Sequence, residues 1–274
     1  MRKWKGLLYV VALVAALGCL SGCSFQTKTN YRYQNGEKYT AGDREITEKI
    51  ETIDIHYMSG DIQFIGSDSD KVTIKETSAK QLDDKRKVHT WVDGTTLYVR
   101  YCASADGLEI FNLEKHLEIT VPEGVKLGDV RIDVSSGDVE ARGFETENMN
   151  VSLSSGDLDL DCVAKKYNIK ASSGRVNLTQ RGECDDLSIQ TSSGEITLNA
   201  ESFAKADIEA SSGDVTIYLP EDYGFTADVD MSSGKLYYEH ALAKDGDRYI
   251  CGDGSSQLKL ETSSGDINLK VSEK

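Results

Sequence analysis

The sequence predicts an all-β fold in which the chain winds into a parallel β-helix, and three observations carry this prediction. The tripeptide Ser-Ser-Gly recurs at 135–137, 154–156, 172–174, 192–194, 211–213, 232–234 and 263–265. From Gly137 to Gly234 its glycines follow one another at intervals of 18 to 21 residues, and a fixed period is typical of a solenoid whose units stack on one another. Apolar and polar residues alternate on both sides of each glycine, as in half-buried strands.

The elements follow from this pattern in chain order. Residues 24–45 are polar without a sustained period and are predicted to be a flexible tether, whereas alternation begins at Ile46 and marks a domain over 46–274. Strands are predicted on both sides of Ser59-Gly60-Asp61, a shortened copy of the repeat, and again at 96–101 and 117–121. Between them, residues 78–93 carry mixed charge without alternation, which predicts a long loop or a short helix. From Val130 onward, each repeat predicts two strands.

Each repeat glycine is predicted to form a corner between two strands. Glycine lacks a Cβ and adopts a positive φ without strain, which a sharp corner requires. The predicted corner residues are Gly60, Gly137, Gly156, Gly174, Gly194, Gly213, Gly234 and Gly265. The other connection varies in sequence, which favours a coil of about 19 residues with a perimeter of ~60 Å. A β-sandwich or a hairpin meander is the alternative.

The first 23 residues are predicted to be a lipoprotein signal peptide. Arg2, Lys3 and Lys5 precede an apolar run from Leu7 to Leu17, and this order is typical of a secretory signal. The run is shorter than the ~20 apolar residues of a transmembrane helix. The segment ends Leu20-Ser21-Gly22-Cys23, which resembles a bacterial lipobox. Cys23 is therefore the predicted site of lipidation and palmitate attachment.

Lipidation at Cys23 predicts a chain held at the cell membrane on its extracytoplasmic face. Cys19 stands in a poorer version of the same motif. An ordinary signal peptide or an uncleaved anchor that happens to contain a cysteine is the alternative.

The net charge argues against nucleic acid as a partner, and it also disfavours an anionic lipid surface as a direct binding partner beyond the lipid anchor itself. The chain carries -15, and residues 24–274 carry -18, because the first 23 residues contain three basic and no acidic side chains. Nucleic-acid affinity rests on Lys and Arg that neutralise phosphates, so no nucleic-acid partner is expected. High net charge is instead typical of a protein that stays soluble and unaggregated.

Four cysteines follow Cys23, namely Cys102, Cys162, Cys184 and Cys251. None belongs to a C-x-x-C pair, so neither a redox motif nor a zinc site is indicated. Cys162 and Cys184 lie in successive repeats at different offsets from their glycines, and a disulfide between them is left open beside the alternative of free, partly buried thiols.

The residues that follow the corner glycines would form one column in a stacked solenoid. They are Asp138, Asp157, Arg175, Glu195, Asp214, Lys235 and Asp266. Calcium would require several carboxylate oxygens to converge, yet Arg175 and Lys235 interrupt the acidic residues. The column is therefore interpreted as a structural ladder of charges, and no metal site is predicted.

The repeats carry a resemblance to a known family. The segments Ile-x-Val-Ser-Ser-Gly-Asp-Val at 132–139 and Ile-x-Ala-Ser-Ser-Gly-Asp-Val at 208–215 resemble the bacterial "putative adhesin" family of β-helix repeat proteins, a domain of unknown function often found on lipoproteins. The framing segments at 117–122 and 219–224 are also similar, and the likeness covers about residues 46–274. It implies a right-handed, single-stranded β-helix on the cell envelope. No functional residues carry over, because the family has no defined site.

The sequence offers little support for catalysis. His56, His89, His116 and His240 are scattered, and no metalloprotease, nucleophile-elbow, P-loop or dinucleotide motif is present. No catalytic residue, no enzyme activity and no cofactor are therefore predicted.

The predicted function is a lipid-anchored, non-catalytic envelope protein that presents a rigid β-helix to a protein or glycan partner, as an adhesin does. One alternative is an accessory protein of an envelope stress-response system, and another is a polysaccharide lyase or hydrolase. An aromatic patch would favour glycan binding, but only Tyr218, Tyr237 and Tyr238 hint at one, and they are interpreted as core or strand-face residues.

Overall fold

The computed structural model describes residues 28–110, 112–246 and 248–272. The predicted signal peptide and the lipidation site Cys23 lie outside the described residues. Within them, no helix has the length and apolar character needed to cross a bilayer. Within the same ranges the chain consists largely of strands, with one short 3-10 helix at Gly36–Lys38.

The strands fall into three groups. The N-terminal group comprises β1 (Thr29–Tyr31), β2 (Thr40–Ala41), β3 (Arg44–Ile46), β4 (Thr52–Ser59), β5 (Asp61–Ser67), β6 (Val72–Ser78), β7 (His89–Asp93), β8 (Thr96–Arg100), β9 (Ala105–Leu108) and β10 (Lys115–Pro122). The central group comprises β11 (Lys126–Ser136), β12 (Val139–Ser155), β13 (Leu158–Ser173), β14 (Val176–Ser193), β15 (Ile196–Ser212) and β16 (Val215–Leu219). The C-terminal group comprises β17 (Phe225–Met231), β18 (Leu236–Tyr238), β19 (Leu242–Asp245), β20 (Arg248–Cys251), β21 (Ser256–Ser264) and β22 (Ile267–Val271).

Parallel pairing with a regular offset builds the solenoid. Val139 lies opposite Leu158, and Ser155 lies opposite Ser173, so consecutive coils are displaced by 18 or 19 residues. The same parallel ladder continues from β13 to β14 and from β14 to β15. The all-β prediction and the coil length of about 19 residues are therefore confirmed, and the architecture is a β-helix-like solenoid.

The core is a set of apolar columns that run along the solenoid. Alternate residues of each strand point inward, and the register stacks equivalent positions of successive coils. One such column contains Ile132, Val151, Ile169, Ile189, Ile208 and Leu260, all of them buried. Branched side chains suit these positions because they pack well on a pleated surface.

The order of coils changes at both ends. Near the N-terminus, β4 lies between β8 and β11, so the coil of residues 96–122 stacks outside the coil that precedes it in sequence. Near the C-terminus, β21 lies between β15 and β17. The last repeat in the sequence is therefore an inner coil of the solenoid.

The long spacing between Gly234 and Gly265 makes this return possible. After β18 the chain forms the antiparallel pair β19–β20, and β20 also pairs antiparallel with β17. The chain then comes back to insert β21 and β22. Covering a terminal strand in this way protects an edge whose N–H and C=O groups would otherwise be open to other chains.

The N-terminal segment differs from its prediction in two places. Residues 29–46, which the sequence assigns mostly to a flexible tether, include β1, β2 and β3, paired antiparallel with β9, β7 and β6. Residues 89–93 form β7, where the sequence predicts a loop or a short helix, and β7 pairs antiparallel with β8. These short strands have too few residues to show a period, and they form because exposed edge groups of the sheet need partners.

The corner glycines stack on one another. Gly60, Gly137, Gly156, Gly174, Gly213, Gly234 and Gly265 adopt φ values between 105° and 141°. Gly194 is the exception, because its φ lies outside the positive range, which corrects the sequence-based reason for a glycine there. A Cβ on Gly194 would overlap the carbonyl oxygen of Gly174 in the neighbouring coil. Close approach of two backbones, rather than φ, therefore requires this glycine.

Candidate binding surface

The column of residues after the corner glycines is held by backbone hydrogen bonds. The N–H of Asp157 donates to the Asp138 carboxylate at 2.8 Å, and the N–H of Arg175 donates to Asp157 at 2.8 Å. The Arg175 guanidinium also forms an ion pair with Asp157. This contact and the hydrogen bond from the Arg175 N–H both lower the pKa of the Asp157 carboxyl. The same contact recurs where the N–H of Asp266 donates to Asp214 at 2.8 Å. These carboxylates are engaged in joining coils, which supports the interpretation as a structural ladder.

In residues 28–110, 112–246 and 248–272, no three His, Cys, Asp or Glu side chains gather in a way that could hold a metal ion.

Cys162 and Cys184 are both buried and free. The register places Gln180, rather than Cys184, opposite Cys162. The Cys184 thiol points instead to the carbonyl oxygen of Lys165, with an S···O distance of 3.5 Å. The disulfide that the sequence left open between these residues is therefore not formed in this structure.

The buried thiols predict an alkaline loss of stability. Burial raises the pKa of Cys162 from 9.0 to about 12, and it does the same for Cys184. Between these pH values the native state holds more protons than the unfolded state, so the free energy of unfolding falls as pH rises. Urea titrations at about pH 8 and about pH 11 measure the fall. Cys162→Ala should show a smaller fall than the unmodified protein, and an equal fall would contradict this explanation.

A buried ion pair lies inside the N-terminal end of the solenoid. Lys115 Nζ lies 2.8 Å from Glu76 Oε1, and the two side chains are 0% and 3% exposed. Glu76 also accepts hydrogen bonds from the Tyr57 hydroxyl at 2.7 Å and the Val88 N–H at 2.8 Å. Lys115 donates to the carbonyl oxygen of Tyr101 at 2.5 Å. Every polar atom of the pair thus has a partner, and the pair is sealed from solvent.

The environment of this pair shifts two ionisations. Burial lowers the pKa of Lys115, although the Glu76 carboxylate opposes that shift. Burial, reinforced by Glu76, raises the pKa of Tyr57 well above its ordinary value. The Lys115 ammonium also lies 4.1 Å from the centroid of the Tyr101 ring. Sequence reasoning missed this cluster, because both members lie in segments without a repeat.

A row of aromatic side chains lies on the outer surface of the same end. This aromatic strip consists of Tyr31, Tyr33, Tyr39, Trp91 and Tyr98, and all five are partly exposed. Successive ring centroids along it are 5.5, 4.7, 5.6 and 5.4 Å apart. Rings at such distances attract one another, so the strip is a continuous surface feature.

Strand pairing and hydrogen bonds hold the strip in place. Trp91 lies opposite Tyr98 in the antiparallel pair β7–β8, and both point outward because Leu97 and Val99 on either side of Tyr98 are buried. The Tyr31 hydroxyl donates to the carbonyl oxygen of His56 at 3.1 Å. The Tyr33 hydroxyl donates to the carbonyl oxygen of Cys102 at 2.9 Å. Burial raises the pKa of both phenols.

Charged groups border the strip. The Lys38 ammonium lies 4.8 Å from the centroid of the Trp91 ring, and the Arg100 guanidinium lies 5.3 Å from that of Tyr98. Arg100 pairs with Asp54 at 2.6 Å. Contacts between cations and ring faces are favourable, so these cations help to fix the rings.

The aromatic residues singled out from the sequence lie elsewhere. Tyr237 and Tyr238 belong to β18 at the opposite end of the solenoid, where they are 48% and 51% exposed, so neither is a core residue. Tyr218 lies on the outer face of β16, with the Lys270 ammonium 5.5 Å from its ring. Sequence reasoning missed the strip, although three closely spaced tyrosines in the supposed tether are a signal that could have revealed it.

A shallow groove on the other sheet is a second surface feature. It has a volume of about 650 Å³ and is bordered by Arg142, Phe144, Asp161 and Arg181. Arg181 forms two hydrogen bonds with Asp161, at 2.6 and 2.8 Å, and this contact lowers the pKa of Asp161. Arg142 pairs with Glu140 at 2.5 Å. Both guanidinium groups are therefore already paired with carboxylates of the protein.

Comparison with known proteins adds a family and several solved structures. The sequence model of the family described as Toastrack DUF4097 matches residues 50–270. A "putative cell adhesion protein" from Clostridium sporogenes is 11% identical, with a TM-score of 0.44 over 86% of this chain and 100% of that one. A "putative adhesin" from Bacteroides fragilis is 14% identical, with a TM-score of 0.45 over 83% and 95%. A "putative lipid binding protein" from Parabacteroides distasonis is 15% identical, with a TM-score of 0.35 over 85% and 97%. No curated protein matches the sequence.

Proposed function

The chain belongs to the Toastrack DUF4097 family, and from this premise we propose that it is a lipid-anchored, non-catalytic protein of the cell envelope. It is held at the extracytoplasmic face of the membrane through Cys23. Its solenoid presents a rigid surface to a protein or glycan partner, as an adhesin does. We propose further that the solenoid is single-stranded and right-handed, since parallel crossover connections have this hand in almost all proteins.

One observation carries the proposed binding role. The register aligns outward side chains of successive coils in straight rows, and the row along one sheet contains Arg131, Asn150, Asn168, Ser188 and Asp207. Parallel strands fix such neighbours at about 4.8 Å. A partner that binds a row of this kind meets polar groups already held in place, so binding loses little conformational entropy.

The chemistry of the interior supports a non-catalytic role. Lys115 and Glu76 are buried ionisable groups of a kind that catalysis often uses. Their side chains are 0% and 3% exposed, and hydrogen bonds within the protein occupy their polar atoms. A substrate therefore has little access to the polar atoms of this pair.

Lipidation makes a direct prediction at the N-terminus. We expect Cys23→Ser to abolish incorporation of radiolabelled palmitate and to release the chain from the membrane fraction, because the serine hydroxyl does not replace the lipid-accepting thiol. Cys19→Ser is the matched control and should leave both properties unchanged. Loss of label in Cys19→Ser with retention in Cys23→Ser would contradict the assignment.

The binding role is tested by capture of envelope components. Full-length chain in mild detergent is immobilised and exposed to fragmented wall glycans and solubilised membrane proteins, with calcium or with a chelator. Asn168→Arg places a large cation in the proposed row and should reduce capture. Asn177→Arg places the same group on the outer face of the other sheet, where Asn177 lies opposite Asp159 and Thr197, and should not.

Each outcome of the capture experiment has a distinct meaning. A glycan retained intact supports the adhesin-like role, and a single membrane protein retained in its place favours an accessory of a stress-response system. A glycan released in shortened form contradicts the non-catalytic proposal. Capture that depends on calcium contradicts the structural interpretation of the acidic column, and no capture at all contradicts a binding role.

A further inference from the structure

We propose that the aromatic strip is a membrane-docking surface, whose rings lie at the headgroup level of the bilayer that carries the lipid anchor. This inference extends the proposed function and rests on anchoring at Cys23. It assigns an orientation to the solenoid, with the β7–β8 end against the membrane and the β18 end away from it. The rows of outward polar side chains on successive coils then extend away from the membrane surface.

Chain length places the strip near the anchor. Tyr31, its first residue, follows Cys23 by eight positions, and eight extended residues span ~28 Å at most. Strand β1 contains Tyr31 and is fixed to β9 by antiparallel pairing. The anchor therefore reaches the domain beside the strip, at the end of the solenoid where the strip lies.

The composition of the strip suits the membrane interface. Tyrosine and tryptophan combine an apolar ring with a polar tip and are enriched at the headgroup level of membrane proteins. The five rings are partly exposed, so apolar area remains for contact with lipid. The ion pairs Arg32–Asp106 and Arg100–Asp54 lie beside the rings, and each brings no net charge to the surface.

The distribution of charge favours the same orientation. Residues 24–44 contain the basic residues Lys28, Arg32, Lys38 and Arg44 against the acidic residues Glu37 and Asp43, whereas residues 24–274 together carry -18. Anionic headgroups attract basic segments and repel acidic ones. The N-terminal segment thus carries a small positive charge, and an anionic membrane repels it less than it repels the chain as a whole.

Ring geometry favours a bilayer over a glycan as the occupant. A flat sugar chain stacks best along a strip whose rings share a plane. Neighbouring rings are instead inclined by 73° at Tyr31 and Tyr33, 61° at Tyr33 and Tyr39, and 56° at Tyr39 and Trp91. Only Trp91 and Tyr98 approach a common plane, at 21°, within the strip. An interface of headgroups and acyl chains imposes no such plane.

Trp91 makes the proposal directly measurable. The chain contains two tryptophans, Trp4 and Trp91, so Trp4→Phe leaves Trp91 as the sole indole whether or not the signal peptide is removed. Full-length lipidated Trp4→Phe is reconstituted in vesicles of phosphatidylethanolamine and phosphatidylglycerol, with lipids brominated near the headgroup end of their acyl chains. We expect strong quenching of Trp91, and weaker quenching when bromine is placed near the chain ends.

Variants in the strip and at the opposite end give the comparison. Tyr33→Ser combined with Tyr39→Ser removes apolar contact and should roughly halve the quenching, since aromatic contact with the interface is lost. Tyr237→Ser removes a 48% exposed ring at the far end of the solenoid and should leave the quenching of Trp91 unchanged. Circular dichroism checks that the variants are folded, and quenching in the parent chain tests the proposal even if the double variant is not.

The possible results separate this proposal from the anchoring on which it rests. Palmitate label at Cys23 with no quenching of Trp91 overturns docking and leaves the anchor standing. Absence of both label and quenching overturns both. A shift of Trp91 emission on addition of wall glycan fragments, without quenching by brominated lipid, overturns docking in favour of a glycan platform.

Discussion

Gly194→Ala is expected to destabilise the protein by about 3 kcal/mol or more, because the added methyl group has no space in the stack of corners. Its Cβ would overlap the carbonyl oxygen of Gly174 in the adjacent coil. Both atoms belong to backbone that is held by parallel pairing on either side, so relief would require coils to separate. A domain of this size should then melt about 10 °C lower, which calorimetry measures directly.

Two further substitutions separate the two reasons for a glycine, a positive φ and the close approach of a neighbouring backbone. Gly174→Ala adds a positive φ of 105° to the same kind of overlap, with the carbonyl oxygen of Gly156, and should be at least as damaging. Gly94, in the turn between β7 and β8, has a φ of 60° with open space around its Cβ position. Gly94→Ala should therefore show the backbone strain alone, about 1–2 kcal/mol. Equal losses for Gly94→Ala and Gly194→Ala would contradict the explanation by close approach.

Lys115→Met is expected to lower the free energy of unfolding by about 3–5 kcal/mol, because it leaves the Glu76 carboxylate buried without its counter-ion. Met fills a similar volume, so lost packing contributes little. Tyr57 and Val88 continue to donate to Glu76, but two neutral donors stabilise a buried charge less than an ammonium at 2.8 Å. Urea unfolding monitored by circular dichroism measures the loss.

A second substitution tests whether the charge is responsible. Glu76→Gln in the Lys115→Met background removes the stranded charge, while the amide oxygen can still accept the Val88 N–H and its NH₂ group can donate to the Tyr57 oxygen. We expect the double variant to recover part of the lost stability. Lys49→Met breaks a surface pair with Glu51, whose side chains are 79% and 49% exposed, and should change stability by less than about 1 kcal/mol. A double variant with a lower free energy of unfolding than Lys115→Met alone would refute this account.

Local signals in the sequence were sufficient for the repeating part of the fold. Alternation at Val151 and Leu153 before a Ser-Ser-Gly, and at Leu158 and Leu160 after it, predicted which side chains face inward, and all four are buried. Such alternation has a period of two and is written within a few residues. The regular spacing of the glycines then determined the coil length, because each corner must stack on the one before it.

The ends of the solenoid could not be predicted in the same way. The choice of β21, rather than β17, as the neighbour of β15 depends on the closure of a long excursion and on which edge needs a cover. The strands β1 to β3 have two or three residues each, too few to display a period. Their pairing is decided by open backbone groups elsewhere in the chain.

The sequence held a hint of the candidate surface in its three closely spaced tyrosines, but it could not show how the whole strip assembles. Tyr31, Tyr33, Tyr39, Trp91 and Tyr98 are separated by up to 67 positions. The pairing of β1 with β9, of β2 with β7 and of β7 with β8 brings them together. The same is true of Lys115 and Glu76, which meet where β6 pairs antiparallel with β10.

The sequence by itself determined that this protein is a stack of short coils with glycine corners, because alternation and corner chemistry are properties of neighbouring residues. Only the tertiary structure decided the order of the coils at each end, the reason for glycine at position 194 and the assembly of the aromatic strip. These features depend on contacts between residues far apart in the chain, whose free energy is gained only when the whole solenoid closes.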